Sequence, residues 1–147
     1  MDIPEYVSKE EVKRVCDQLG IRDWTRFSKA EVELREAEII KELVGGEAHD
    51  VSVEEFQRGL EVELEHGIGI PDANVTNNHP VLTGKIVLAH LKENLDYYTR
   101  LEVAELEGDL LKAVQAGDQA KLASKYQKLL EARFLLSEQE KAQIKSA

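Results

Sequence analysis

Two pairs of glutamate and histidine, with the members of each pair three residues apart, have the side-chain types and the spacing needed to bind a metal ion. Glu63 and His66 form a Glu-x-x-His motif, and His90 and Glu93 offer the same two ligand types in the reverse order. Residues three apart project from the same side of a helix, and Glu-x-x-His is the spacing of carboxylate-bridged metal sites in helical bundles. Two carboxylates and two imidazoles suit Fe, Mn or Zn better than Mg or Ca. The cofactor that this pattern indicates is therefore a divalent transition metal.

Two further residues complete the candidate ligand site. Tyr97 lies on the same predicted helical face as His90, where its hydroxyl would hydrogen-bond to a metal ligand. Lys85 lies near the start of the same predicted helix and is a candidate anion contact. The helix that ends at His66 and the helix that carries His90 are expected to be antiparallel neighbours, so a bound ligand would lie between them.

The same side chains have a structural interpretation that needs no ligand. A protonated His66 in the last turn of its helix would be stabilised by the negative helix end. His90 and Glu93, which we expect to be at least partly buried, can hydrogen-bond to each other or to Tyr97. A dinuclear site needs two Glu-x-x-His motifs and two more carboxylates, and the sequence contains one such motif. The sequence therefore favours a structural polar network, with metal binding as the alternative.

No nucleophile in the sequence has the surroundings of a catalytic group. There is no glycine-flanked serine, no His-Glu-x-x-His motif and no reactive-cysteine motif. Gly84 and Lys85 do not belong to a phosphate-binding loop, because His79 and Ile86 stand where that motif needs Gly and Ser or Thr. Cys16, the single cysteine, lies in an apolar helical pattern that predicts a buried structural thiol. These observations argue against an enzyme and fit a reducing compartment.

The overall charge argues against two classes of partner. The 147 residues include 29 acidic and 19 basic side chains, for a formal net charge of −10. Nucleic acid and anionic membranes attract clustered Lys and Arg, so we expect neither as a partner. The sequence has no apolar run of membrane-spanning length, and its first residues lack the basic start and apolar stretch of a signal peptide. We therefore expect a cytoplasmic protein.

The elements that carry these residues are helices with recurring start and stop patterns. Ser-x-x-Glu capping boxes, which satisfy free backbone N–H groups, occur at Ser8, Ser28, Ser52 and Ser137. Glycines that suit a left-handed helix end stand at Gly20, Gly45, Gly46, Gly67 and Gly117. The patterns predict helices at 8–19, 28–44, 52–66, 82–116 and 118–135, with a short tail helix after Ser137. Within 82–116, Gly108 marks a candidate break. Because strand-like alternation is missing, the sequence predicts an all-α bundle of five or six helices, with residues 1–147 in a single domain.

The C-terminal part of the chain predicts a helical hairpin. Gly117 suits a helix end and Asp118 a helix start, so a tight turn is expected between two antiparallel helices. The hairpin would pack Leu110, Leu111 and Val114 against Leu122, Tyr126 and Leu129. Its second helix has more apolar side chains than a lone hairpin can bury, namely Leu129, Leu130, Phe134, Leu135 and Leu136. We expect a protein partner or a second copy in a homodimer to cover them.

Part of the chain resembles an uncharacterised family of small helical domains from bacterial and phage proteins. The resemblance rests on the runs GLEVELEHG, NVTNNHPVLTGKIVLAHLKE and DYYTRLE, all within residues 53–107. It implies a domain of unknown function with 53–107 as its core and with 1–50 and 108–147 as flanking helices. The family pattern falls on Glu65, His66, Thr83, Gly84, Lys85, His90, Glu93, Tyr97 and Tyr98. The family usually has an acidic residue where this chain has His79.

Two functions are compatible with these patterns. The first is a non-catalytic protein-interaction or accessory role in the cytoplasm, because much of the chain is amphipathic helix and catalytic motifs are missing. The alternative is a metal-binding helical bundle. In that case Glu63, His66, His90 and Glu93 would be the ligands.

Overall fold

The computed structural model describes residues 6–146, and this part of the chain is all-α with a C-terminal hairpin, as the sequence predicted. Its six α-helices are α1 (Lys9–Leu19), α2 (Leu34–Val44), α3 (Val53–Gly69), α4 (Pro80–Glu93), α5 (Tyr97–Ala116) and α6 (Gln119–Ser146). Short 3-10 helices lie at Trp24–Arg26, Gly46–Asp50 and Pro71–Ala73. The chain divides between Leu95 and Asp96 into two compact units, with α1 to α4 in the first and α5 and α6 in the second. The predicted single domain of residues 1–147 would comprise both units, and it stays a prediction.

Several predicted helix ends are confirmed. Ser8 accepts a hydrogen bond from the Glu11 N–H at the start of α1, and Ser52 forms a full capping box at the start of α3. Gly20 and Gly117 end α1 and α5 in the left-handed conformation, with φ of 65° and 66°. Glycine has no Cβ and adopts this conformation without strain, so these helix ends are encoded locally.

The predicted capping box at Ser28 does not form, and α2 begins at Leu34. Side chains of α3 bind the backbone that precedes α2. The Val32 N–H donates to Glu61 at 3.0 Å, and the Gln57 amide donates to the Val32 carbonyl at 2.6 Å. The backbone groups of Val32 are therefore hydrogen-bonded to a helix distant in sequence. A helix that began earlier is not required to satisfy them.

The predicted helix of residues 82–116 is two helices, and the break does not lie near Gly108. Asn94 has extended φ and ψ angles of −154° and 131°, which end α4. Asp96 follows with a buried side chain whose hydrogen-bond donors come from further along the chain. Gly108 lies inside an uninterrupted α5.

Helix α6 is continuous, so the predicted end at residue 135 and the tail helix after Ser137 are wrong. The interior side of α6 keeps a spacing of three and four residues through the predicted break. The buried and half-buried positions are Leu122, Lys125, Leu129, Ala132, Leu136, Gln139 and Glu140. This heptad-like spacing keeps one side of a helix against its partner, and it overrides the local capping pattern at Ser137.

The first unit has a core to which all four helices contribute. The fully buried apolar side chains include Val12, Trp24, Ile40, Phe56, Leu60, Leu64 and Val87. Helix α4 comes very close to α2 at Gly84. A Cβ atom at this position would lie 2.5 Å from Ile40 Cγ2 and 3.1 Å from Val44 Cγ1. The glycine is therefore required for the packing distance between these two helices.

The hairpin of the second unit turns where the sequence predicted. Asp118 accepts a hydrogen bond from the Lys121 N–H at 2.9 Å and so begins α6. The buried residues between the two helices are Leu106, Leu129 and Ala132, with Val103 and Leu110 packed against them. Within residues 6–146, neither this pair nor any earlier helix combines the length and the apolar character that crossing a membrane requires.

Candidate functional site

Glu63 of α3 and His90 of α4 are the two candidate ligands that the structure brings together. His90 Nε2 lies 3.4 Å from Glu63 Oε1. The side chains are 26% and 13% exposed, so the contact is largely shielded from water. The two groups form an ion pair when the imidazole is protonated. Their contact follows from the packing of α3 against α4 within the first unit.

The other candidate residues have different surroundings. His66 and Lys85 are exposed. Glu93 is also exposed, because it is the last residue of α4, and the prediction that it is partly buried is wrong. Tyr97 begins α5 in the second unit, where its ring meets the ring of Tyr98 edge to face at 5.2 Å between centroids.

A complete set of metal ligands is not assembled in the described part of the chain. Among residues 6–146, no three side chains of His, Cys, Asp or Glu lie close enough together to hold a metal ion. Protein metal sites of the zinc type use three or four protein ligands, whereas Glu63 and His90 supply two. Metal binding at these residues stays a prediction.

A small cavity lies beside Glu63, between α3, the loop that follows it and the start of α4. Its volume is about 140 Å³, and its polar lining residues are Glu63, His66, Asn74, Thr76, Asn78 and Thr83. This volume corresponds to roughly four or five water molecules, at about 30 Å³ each. The cavity lies where the sequence placed a ligand, but it is smaller than the sites that usually hold organic cofactors.

The loop from residue 70 to 79 folds back onto the end of α3 at Gly67. A Cβ atom on Gly67 would lie 2.8 Å from Asn78 Oδ1 and 2.9 Å from Asn74 Cγ, so only glycine fits. Asn74 donates to Asn78 at 2.8 Å, and Asn78 donates to the carbonyl of Trp24 at 3.3 Å. The prediction that Gly67 ends α3 is wrong, since the helix continues to Gly69. Gly67 instead allows the asparagine side chains to connect three segments.

His79 caps the N-terminus of α4 through a neutral ring nitrogen. Its Nδ1 accepts a hydrogen bond from the Leu82 N–H at 3.3 Å, and the residue is 9% exposed. Burial lowers the pKa of His79 below its ordinary value of 6.5, against the opposing effect of the Glu11 carboxylate. A protonated Nδ1 cannot accept the bond, and a cation is unfavourable at a helix N-terminus. The cap is therefore present only while His79 is neutral.

The stability of the chain is expected to fall on acidification through the titration of His79. Because the pKa of His79 is lower in the folded chain than in the unfolded chain, the unfolded chain is protonated first as the pH falls below 6.5. The free energy of unfolding therefore decreases until the pH reaches the lowered pKa of the folded chain. His79→Asn keeps a capping oxygen that does not titrate, and it should weaken this decrease. Urea unfolding between pH 5 and pH 7.5, on both proteins, measures the difference. Equal pH dependence in the two proteins would contradict the capping role.

Sequence reasoning missed an ion pair between Arg22 and Glu36 in the first unit. Glu36 is 2% exposed, and its carboxylate accepts hydrogen bonds from the Arg22 side chain and from the Arg22 N–H at 3.0 Å. It also accepts from the Glu33 N–H at 2.9 Å and lies 3.4 Å from Trp24 Nε1. The sequence of α2 did not indicate that Glu36 is buried, because Arg22, its ion-pair partner, lies fourteen residues earlier.

A second buried carboxylate, that of Asp96, links α5 and α6 at the end of the hairpin opposite the turn. Asp96 is 3% exposed and accepts hydrogen bonds from Arg100 at 2.6 Å and 3.0 Å and from Gln143 at 3.1 Å. Arg100 also donates to Glu140 at 2.7 Å. These contacts cross from α5 to α6 at the end opposite the turn, so they hold the two helices in register.

Cys16 is fully buried, as the sequence predicted. Burial raises the pKa of its thiol, because a thiolate in an apolar environment is poorly solvated. The thiol is therefore structural and is a poor nucleophile.

The hairpin carries a set of large apolar side chains that the chain leaves exposed, which we call the hairpin face. Its members are Leu111, Val114, Tyr126, Leu130 and Phe134, which are 50% to 71% exposed. The predicted packing of Leu111, Val114 and Tyr126 between the two helices is therefore wrong. Each of these three lies one residue beyond an interior position and is rotated by about 100° from it. Leu130 follows the interior residue Leu129 in the same way, and positions shifted in this way on two antiparallel helices fall on the same side of the pair. Phe134 lies two residues beyond Ala132, so it stands at the outer edge of this surface.

Comparison with known proteins gives a family without an assigned activity. A family model described as "Protein of unknown function (DUF5661)" matches residues 12–107. The match begins in α1, earlier than the resemblance within residues 53–107, and it ends inside α5. The hairpin face therefore lies outside the matched region. No curated protein and no solved structure is significantly similar to the chain.

Proposed function

The chain belongs to the DUF5661 family of proteins of unknown function, and we propose that it is a non-catalytic cytoplasmic module that binds protein through the hairpin face. The observation that carries the proposal is the exposure of five large apolar side chains on α5 and α6, four of them on one side of the pair and Phe134 at its edge. Contiguous apolar surface of this kind marks protein-interaction sites. Because the face lies beyond residue 107, the proposed binding belongs to the C-terminal extension of the family domain.

The chemistry of the face defines what it can bind. It contains two aromatic and three aliphatic side chains, with the ion pair between Glu107 and Arg133 also crossing from α5 to α6. Aromatic side chains contribute most of the area in protein interfaces, and a pair of helices offers a groove for another amphipathic helix. The partner is therefore an apolar helical surface. Nucleic acid and anionic membranes remain unexpected partners for a chain with a net charge of −10.

The buried polar groups support a structural role over a catalytic one. Three buried polar side chains hydrogen-bond to segments distant in sequence, namely those of Glu36, Asp96 and Asn78. These hydrogen bonds account for their burial. The second candidate function is metal binding, and one observation favours it, the contact between Glu63 and His90. It ranks below protein binding because one or two further ligands would have to move into place.

The proposal requires that the hairpin face is free in the isolated chain and does not stabilise its fold. Phe134→Asp, measured in dilute protein, is therefore expected to change the free energy of unfolding by less than about 0.5 kcal/mol. Leu129→Asp places a charge at a position that is 2% exposed and is expected to unfold the hairpin. Urea unfolding followed by circular dichroism measures both. A large loss of stability in dilute Phe134→Asp would show that Phe134 packs within the chain and would contradict the proposal.

A further inference from the structure

We infer that the protein bound by the hairpin face is a second copy of this chain, and that two hairpins pack face to face as a symmetric four-helix bundle. This inference rests on the proposed function, since it identifies the partner of the same surface. Four-helix bundles pack helix pairs around a shared apolar core, and a two-fold axis makes the same surface serve both copies.

The area of the hairpin face matches the needs of a symmetric dimer. Leu111, Val114, Tyr126, Leu130 and Phe134 are each at least half exposed. From the usual areas of such side chains, they present roughly 500 Å² per copy, and pairing two copies would bury roughly 1,000 Å². This is the lower limit for a specific interface, which predicts a dimer that dissociates on dilution.

The hairpin also needs a larger core than its own two helices supply. Within the second unit the buried apolar side chains are Tyr98, Leu106, Ala113, Leu129 and Ala132, supplemented by Val103 and Leu110. Small helical units with few buried side chains gain stability by oligomerisation. Pairing through the hairpin face would add a second apolar layer on the side of α5 and α6 that now faces water.

The distribution of charge permits association through the hairpin. Residues 96–147 contain nine acidic and eight basic side chains, whereas residues 1–95 contain twenty acidic and eleven basic ones. The N-terminal part therefore repels a second copy of itself. The nearly neutral hairpin is the part of the chain on which self-association meets the least electrostatic opposition.

The two helices of the hairpin differ in charge, and the difference selects one of two symmetric arrangements. Helix α5 has four acidic and two basic side chains, and α6 has three acidic and six basic ones. A two-fold axis parallel to the helices places α5 of one copy over α6 of the other, with both turns at the same end. A perpendicular axis places each helix over its own copy and brings like charges together. Complementary charge favours the parallel axis.

Sedimentation equilibrium of the full chain tests whether the partner is a second copy. At high micromolar concentration the wild type is expected to show twice the chain mass of 16.6 kDa. Leu130→Asp should be a monomer, because it places a charge within the interface. Leu135→Asp is the matched control. It lies on another flank of α6, is 45% exposed, and should remain a dimer. Circular dichroism confirms that both variants are folded.

A monomeric wild type, or a dimer that survives Leu130→Asp, would overturn the inference. Neither result decides the proposed function, which fails on a separate measurement, the stability of dilute Phe134→Asp. The pairing of helices is tested by mixing Leu111→Cys and Tyr126→Cys proteins under oxidising conditions, with Cys16 buried and unreactive. The inferred arrangement predicts mainly disulfides that join position 111 of one copy to 126 of the other. A predominance of 111-to-111 and 126-to-126 disulfides would overturn it.

Discussion

Glu36→Ala is expected to lower the free energy of unfolding by about 2–3 kcal/mol, the usual contribution of hydrogen bonds to a buried charged group. Glu36 is 2% exposed and accepts hydrogen bonds from the side chain and N–H of Arg22 and from the N–H of Glu33. Its loss leaves these donors without their acceptor and opens a cavity beside Trp24. Urea unfolding at neutral pH measures the effect.

A surface ion pair provides the control for Glu36. Arg14 forms a bidentate contact with Glu11 on α1, but both side chains are largely exposed. Water screens the charges of exposed pairs, so Arg14→Ala should change the stability little. If Glu36→Ala cost no more than Arg14→Ala, the ion pair would not be a structural element of the first unit.

The pH dependence of the Glu36 effect follows from the direction of its pKa shift. Burial raises the pKa of Glu36, but the hydrogen bonds from Arg22 and from the Glu33 backbone outweigh burial and hold the pKa below its ordinary value of 4.5. The unfolded carboxylate therefore takes up a proton at a higher pH than the folded one. The stabilisation by Glu36 is complete above pH 4.5 and is lost as the pH falls through the folded pKa. The loss of stability through Glu36 begins near pH 4.5, whereas the loss through His79 begins near pH 6.5. The onsets of the two effects can therefore be separated.

Gly84→Ala is expected to destabilise the first unit by about 1–3 kcal/mol, although alanine is the better helix former. The added methyl group would lie 2.5 Å from Ile40 Cγ2, which is too close for any Cβ contact. Ile40 is fully buried and its Cγ2 is attached directly to its β-carbon, so it cannot rotate away without disturbing the core. Helices α2 and α4 would have to separate.

Gly108→Ala is the matched control, because Gly108 also lies inside a helix. No atom lies within 4 Å of the position that its Cβ would occupy. The substitution should stabilise the chain by about 0.5–1 kcal/mol through helix propensity alone. Opposite signs for the two substitutions, measured as melting temperatures, are the expected result. Stabilisation by both would contradict the close approach of α4 to α2.

The elements that the sequence predicted well are those encoded by neighbouring residues. The capping box at Ser52 and the turn at Gly117 depend on residues within one helical turn, and both are confirmed. The start of α2 could not be predicted in this way, because Val32 is held by Gln57 and Glu61 of α3. Local patterns cannot anticipate contacts that form only after the helices have packed.

The candidate site shows the same limit. The contact between Glu63 and His90 follows from the packing of two consecutive helices, which the sequence anticipated. His66 lies in the last turn of α3, as expected, but the helix ends at Gly69 and not at residue 66. The break before Asp96 depends on Gln143, which lies 47 residues further along the chain.

Amide hydrogen exchange as a function of protein concentration tests most directly whether the hairpin face is covered by another chain. If two copies associate there, exchange in residues 123–134 of α6 should slow as the concentration rises, because association suppresses local opening. Residues 53–69 of α3 serve as an internal reference, since the proposed interface does not include them. The expected result is amide protection in 123–134 that increases with protein concentration and exceeds any change in 53–69. Exchange in 123–134 that is independent of concentration would contradict it.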